Sequence, residues 1–197
     1  ADAKGEIGRS VEGIEFAVNA PQVTKGEFAA NVGGDIDVFS IRVPIGVVGA
    51  ITPFNFPIMV PAVMMTMAVS VGNAIVWKPS EKVPSTALIF ARLWKEAGLP
   101  DGVFNVVQGD KEMVDGILEH PGIAGVSFVG STAVGEYVYQ KGTSHNKRVA
   151  AFTGGKNHMV VMPDADLESA ASAFVSAGFG SASQRCMAVS LLLPVGE

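Results

Sequence analysis

From Gly46 onward the chain alternates short apolar, β-branched runs with stretches of helical periodicity. The extended runs are Val47 to Thr52, Ala74 to Trp77, Val103 to Val107, Gly125 to Val129 and Val149 to Phe152. Helical stretches separate them near Ile58 to Ser70, near Thr86 to Ala97, around Glu112 to Glu119 and around Ala133 to Gln140. Parallel strands can be joined only by a long crossover, normally a helix, so this alternation predicts an α/β fold built on a doubly wound parallel sheet. Ligands of such sheets sit beyond the carboxyl ends of the strands.

Ahead of that series, Ile7, Val11, Ile14 and Val18 recur at spacings that place them on one face of a helix, which Pro21 is expected to close. From Asp35 to Val48 the pattern is extended, rich in Val, Ile and Phe and interrupted by Pro44 and Gly46, as in a strand pair or a bent strand. The longest apolar run, Ile58 to Val71, is too short to span a bilayer and contains Pro61, Thr66 and Ser70, so it reads as a buried helix. Near the end, Asp164 to Glu168 supplies caps and first-turn acids for a helix with Ala170, Ala171, Phe174 and Gly178 on one face. Ser190 to Val195 is strand-like, and with Ala1 at the other end the chain reads as a fragment of a longer protein.

Charge narrows the partners. The chain carries 14 Lys+Arg against 19 Asp+Glu, a net charge of −5, which argues against nucleic acid or an anionic membrane surface and favours a small molecule. His120, His145 and His158 are dispersed without metal-ligand spacing, so no metal is expected. A single cysteine fits a reducing compartment, the cytoplasm or, in a eukaryote, the mitochondrial matrix.

Three strand ends carry unusual chemistry. Thr52-Pro53-Phe54-Asn55-Phe56-Pro57 follows the first run, Trp77-Lys78-Pro79-Ser80-Glu81-Lys82 the second, and Phe128-Val129-Gly130-Ser131-Thr132-Ala133-Val134-Gly135 the fourth. Each also has an ordinary reading. Asn55 between prolines suits a turn, Lys78 a solvated charge at a strand exit, and the two glycines close helix packing. Against that, a strand turning at Gly130 into a helix that opens with Ser131 and Thr132 offers N–H groups, hydroxyls and a dipole to a phosphate. The segment lacks the Gly-x-Gly-x-x-Gly fingerprint, and Glu136 stands where a P-loop would have its lysine. Further on, Gly154-Gly155 lies between two β-type runs and permits a tight turn or close approach to a ligand.

The only cysteine, Cys186, lies in Gly178-Phe179-Gly180-Ser181-Ala182-Ser183-Gln184-Arg185-Cys186-Met187-Ala188. Free cysteines are most often small buried hydrophobes. Here small residues precede it, leaving room for a ligand, and Arg185 beside it can favour the thiolate.

Taken together, Pro53-Phe54-Asn55-Phe56-Pro57, Trp77-Lys78-Pro79-Ser80-Glu81, Phe128-Val129-Gly130-Ser131, Thr153-Gly154-Gly155-Lys156 and Gln184-Arg185-Cys186 occur in the order found in aldehyde dehydrogenases. The chain resembles that family from about Ala3 to its end. Gly155-Lys156-Asn157-His158 and Gln184-Arg185-Cys186-Met187-Ala188 are similar to the branch that oxidises methylmalonate semialdehyde and acylates coenzyme A. Members releasing a free acid carry Glu-Leu-Gly-Gly-Lys at the fourth motif, where the Glu activates water. Phe152 stands at that position and cannot act as a general base.

The resemblance implies a Rossmann-like NAD-binding domain of the aldehyde dehydrogenase fold with only the start of the catalytic domain. Residues 1–45 would lead into the core, 46–155 would form the NAD-binding domain, and 156–197 would begin the catalytic domain. Cys186 would attack the aldehyde carbon, and the oxyanion would be held by the Asn55 side chain and the Cys186 N–H. Lys78 and Glu81 would lie at the adenosine ribose with Lys82 beside them, Ser131 at the diphosphate, and Thr52, Phe54 and Thr153 along the path to the nicotinamide. An acid at Glu81 favours NAD over NADP. Arg185, and more weakly Arg9, are candidates for a substrate carboxylate, against the alternative of surface ion pairs. Coenzyme A would be the co-substrate and a homo-oligomer the expected assembly. An acid-forming dehydrogenase and an inactive nucleotide-binding module are the competing readings.

Overall fold

The structure, a computed structural model, describes residues 2–196. The chain divides into two compact units, Ala3–Phe152 and residues 153–196, with Asp2 grouped with the second.

The first unit opens with α1 (Asp2–Val18) and a short α2 (Ala20–Val23). The first helix ends at Val18, just before Pro21 as expected, and Pro21 then sits in the first turn of α2. A fixed φ and a missing N–H suit that position, where the amide has no intrahelical partner. The expectation for Asp35 to Val48 needs correction, because that stretch is split between two sheets. Antiparallel β1 (Phe28–Gly33) and β2 (Ile36–Phe39) form a hairpin whose turn residues, Gly34 and Asp35, both have positive φ, as a tight hairpin turn requires. Gly46, at φ 107, then turns the chain into a different sheet.

That sheet holds five parallel strands in the order β5-β4-β3-β6-β7. They are β3 (Val47–Ile51), β4 (Ala74–Lys78), β5 (Phe104–Val106), β6 (Ile123–Val129) and β7 (Arg148–Phe152), linked in turn by α3 (Met59–Ser70), α4 (Pro84–Glu96), α5 (Lys111–Glu119) and α6 (Thr132–Ser144). Side chains alternate across a strand, so β3 feeds two cores. Ala50 joins Ala62, Met65, Ile75, Trp77, Ala87 and Phe90 under α3 and α4. Ile51 joins Val114, Ile117, Leu118, Val126, Phe128 and Val138 under α5 and α6. This is the doubly wound sheet expected from the alternation. Gly49 permits the closeness of α5, since a Cβ there would lie 2.5 Å from the Ile117 side chain. As expected, α3 is largely buried, through Val60, Pro61, Ala62, Met65 and Thr66.

In the second unit, parallel strands β8 (Asn157–Val161) and β9 (Val189–Pro194) are joined through α7 (Leu167–Phe179) and a short turn of 3₁₀ type over Gly180–Ser183. Asp166 caps α7 by accepting the Ser169 N–H at 3.0 Å. No residue of α7 is buried, so the apolar face expected there is present in sequence but uncovered.

Candidate active site

Parallel strands bring their carboxyl ends to one edge, and β3 lies between β4 and β6. The register pairs Ile51 with both Lys78 and Phe128, so the segments after these residues leave the sheet side by side. The three motif-bearing strand ends are therefore neighbours.

Thr52, just past β3, is 4% exposed. Its N–H donates to the Lys78 carbonyl at 3.2 Å, and its hydroxyl accepts the Trp77 indole N–H at 2.9 Å. Trp77 is wholly buried, so the bond ties the start of the Asn55 loop to the core. The loop carries Phe54 and half-buried Asn55 through a bend and ends at α3. There Glu6 of α1 accepts the N–H groups of Ile58 and Met59 at 2.7 and 3.0 Å. A carboxylate at a helix N-terminus meets both unpaired amides and the positive end of the dipole. Glu6 lies 52 residues from Ile58, so no local sequence pattern records the contact.

Lys78 ends β4 at 5% exposure, and its ammonium donates to Glu81 at 3.1 Å. A lysine so enclosed is not a solvated charge. Its own backbone N–H, and then the Lys78 ammonium, hold the Glu81 carboxyl below its ordinary range. One residue on, the Lys82 ammonium lies 4.5 Å from the centroid of the Phe54 ring, a cation–π contact between the β4 and β3 loops. Ser131 is the exposed N-cap of α6, in extended conformation with no side-chain bond to the helix. An anion offered to that turn would meet no capping side chain in its way.

In the second unit, Cys186 is an exposed free thiol. It follows Ser181, Ala182 and Ser183, all at positive φ (53, 52 and 60), a left-handed turn that small side chains tolerate best. Cys186 then sits in a four-residue turn closed by the Ala188 N–H donating to the Arg185 carbonyl at 3.0 Å. The side-chain amide of Asn157 donates to the carbonyls of Cys186 and Ala188, both at 2.9 Å. Thr153 lies in the exposed, strand-free stretch before β8. Arg185 donates to the Ser176 carbonyl at 3.4 Å, lies 3.3 Å from Asp2 and folds over Gly180, where a Cβ would come 2.7 Å from its guanidinium. Arg9, in the first unit, forms an exposed ion pair with Glu12 at 2.6 Å, three residues along α1.

Among the described residues, no group of three His, Cys, Asp or Glu is placed to hold a metal, and no helix is long and apolar enough to cross a membrane. The family model for aldehyde dehydrogenases matches residues 1–195. The chain belongs to the aldehyde dehydrogenase family. Among other members, it is 54% identical over 196 residues to a malonate-semialdehyde dehydrogenase of Pseudomonas aeruginosa, covering all of this chain and 39% of that protein. A malonate-semialdehyde dehydrogenase of Lacticaseibacillus casei is 52% identical over 192 residues, 98% of this chain and 39% of the relative. A Sinorhizobium meliloti protein named as a methylmalonate-semialdehyde dehydrogenase and crystallised with NAD superposes with a TM-score of 0.92 at 53% identity, over all of this chain and 40% of that one. This aldehyde dehydrogenase chain thus spans about two-fifths of the length of these relatives.

Proposed function

We propose that this chain is part of an NAD-dependent, coenzyme A-acylating dehydrogenase of malonate or methylmalonate semialdehyde. The first unit serves as its nucleotide-binding part, and the second begins its catalytic domain. The substrate class rests on relatives that bear those names and are identical to this chain at about half of its positions.

The residues at the strand ends suit NAD. An enclosed ammonium paired with a carboxylate, Lys78 with Glu81, offers one donor and one acceptor to a vicinal ribose diol. The uncapped first turn of α6 at Ser131 suits a diphosphate, and Thr52, Phe54 and Thr153 would border the nicotinamide. When bound, NAD supplies the hydride acceptor.

The chain's own groups do the rest. Cys186, as thiolate, adds to the aldehyde carbon, and the carbonyl becomes an oxyanion held by the Asn55 side chain and the Cys186 N–H. Loss of hydride from that carbon restores the carbonyl and leaves a thioester on Cys186. The thiol of coenzyme A attacks it, the acyl group moves to coenzyme A, and Cys186 departs as thiolate. The substrate's remote carboxylate leaves as carbon dioxide or bicarbonate and a proton takes its place, giving acetyl- or propionyl-coenzyme A. Arg185 is the candidate to meet that carboxylate. The enzyme would act in a reducing compartment such as the cytoplasm, as a homo-oligomer.

The observation that carries acylation is Phe152, which ends β7 with 59% of its surface exposed. It stands where acid-forming members hold the base that activates water. A thiol acceptor needs no such base, being partly ionised at neutral pH and a strong nucleophile. The test is NADH formation by the full-length protein with malonate semialdehyde, with and without coenzyme A. Sustained turnover only with coenzyme A is expected; equal turnover without it would return the reading to an acid-forming enzyme.

A further inference from the structure

We infer that Asn157 is a positioning residue for Cys186, fixing the backbone on both sides of the turn that presents the thiol. The inference rests on the reading of Cys186 as nucleophile given above. Within this chain Cys186 is an exposed thiol, and hydrogen bonds to its backbone hold the turn that carries it. The peptide before Cys186 is held by the Ala188 N–H donating to the Arg185 carbonyl. The peptide after Cys186 is held by one hydrogen of the Asn157 amide, donating to the Cys186 carbonyl at 2.9 Å. The other hydrogen of the same amide reaches the Ala188 carbonyl at 2.9 Å, anchoring the far end of the turn.

With both flanking peptide planes fixed, the direction of the Cys186 Cα–Cβ bond and of its N–H, the proposed oxyanion donor, is fixed too. Only an amide carries two donors on one atom at this side-chain length, since Asp accepts and Ser has a single hydrogen.

The strand geometry explains how Asn157 reaches this place. Asn157 pairs with Val189 in the β8–β9 ladder, but the next pair is His158 with Leu191. Ser190 is thus an extra residue in β9, and a bulge of this kind turns a side chain away from the ladder direction. The first residue of β8 thereby reaches back over the end of the loop entering β9. Asn157 lies 29 residues before Cys186, on a strand rather than in the cysteine loop.

The experiment uses the full-length enzyme and reads the pre-steady-state burst of NADH with malonate semialdehyde, NAD affinity, thermal midpoint and the rate of Cys186 alkylation by iodoacetamide. Asn157→Ala and Asn157→Asp should each slow the burst by roughly 10- to 100-fold, the scale of a small misplacement of a reacting group. NAD affinity, thermal midpoint and alkylation rate should stay within about twofold or a few degrees of the parent, because alkylation needs no oxyanion donor. Asn157→Gln, which keeps both donors, should recover part of the burst. An unchanged burst in Asn157→Ala, or a loss matched by equal losses of NAD affinity and thermal midpoint, would overturn the inference. Cys186→Ala is the control: NADH formation that survives it removes the nucleophile reading itself, whereas a dead Cys186→Ala beside an unaffected Asn157→Ala removes only the positioning role.

Discussion

Trp77 donates its indole N–H to the hydroxyl of Thr52 at 2.9 Å, joining the end of β4 to the start of the Asn55 loop inside the core. Thr52→Val keeps the shape and removes the acceptor, leaving a buried donor unpaired. The expected loss is about 1–3 kcal/mol of stability, read by urea unfolding of the full-length protein, with Thr52→Ser close to the parent. A Val variant as stable as the parent would show that the bond contributes nothing.

Asn55→Ala should lower kcat by roughly a hundred- to a thousand-fold, the range seen when one oxyanion donor is lost. NAD binding, measured by quenching of protein fluorescence, should be unchanged, since the residues proposed for the ribose and diphosphate lie on other loops. A rise in the KM for NAD without a fall in kcat would assign Asn55 to the cofactor instead.

Glu6 joins α1 to the N-terminus of α3 through two amides. Removing a helix cap costs about 0.5–2 kcal/mol, so Glu6→Ala should lower thermal stability by that amount. Glu6→Gln keeps an acceptor oxygen and should lose less. Equal losses for Ala and Gln would mean that charge, and not the hydrogen bonds, carries the contact.

The pH profile of stability should show the polar cluster between α5 and α6. The Lys111 ammonium first, then the Tyr137 hydroxyl and the Lys141 ammonium, hold the Asp115 carboxyl far below its ordinary 3.8. Glu119 first, and then Asp115, raise Lys141 above 10.5, and Asp115 and then Tyr137 raise Lys111. A depressed carboxyl contributes stability above its unfolded pKa and loses it as pH falls toward the folded one. Raised lysines contribute below 10.5 and lose it as pH climbs through their folded values. Asp115→Asn should therefore flatten the acid limb below about pH 4. Acid unfolding curves that coincide for parent and variant would contradict this.

Much of the fold was legible because its signals are local. Five short β-type runs separated by helix-length stretches leave little choice but a parallel sheet, and Thr52, Lys78 and Ser131 fall at strand ends by counting alone. Register, which the sequence does not display, makes those ends neighbours. The hairpin strand Phe28–Gly33 was missed because Ala29, Ala30 and Asn31 have little β character, and its register shift, with Asn31 at positive φ, breaks the alternation. Pro21 marks the end of α1 but does not reveal the short α2 that it opens, because proline stops a helix and starts one equally well. Glu6 and Asn157 act across long gaps through backbone amides and carbonyls, which any sequence supplies, so nothing in the chain marks their partners.

In the proposed reaction Cys186 carries the acyl group. The direct measurement is mass spectrometry of the full-length enzyme mixed with NAD and malonate or methylmalonate semialdehyde in the absence of coenzyme A. A thioester is expected on the peptide containing Cys186, absent from Cys186→Ser and discharged when coenzyme A is added. NADH formed with no adduct at Cys186, or with the adduct on another residue, would contradict it.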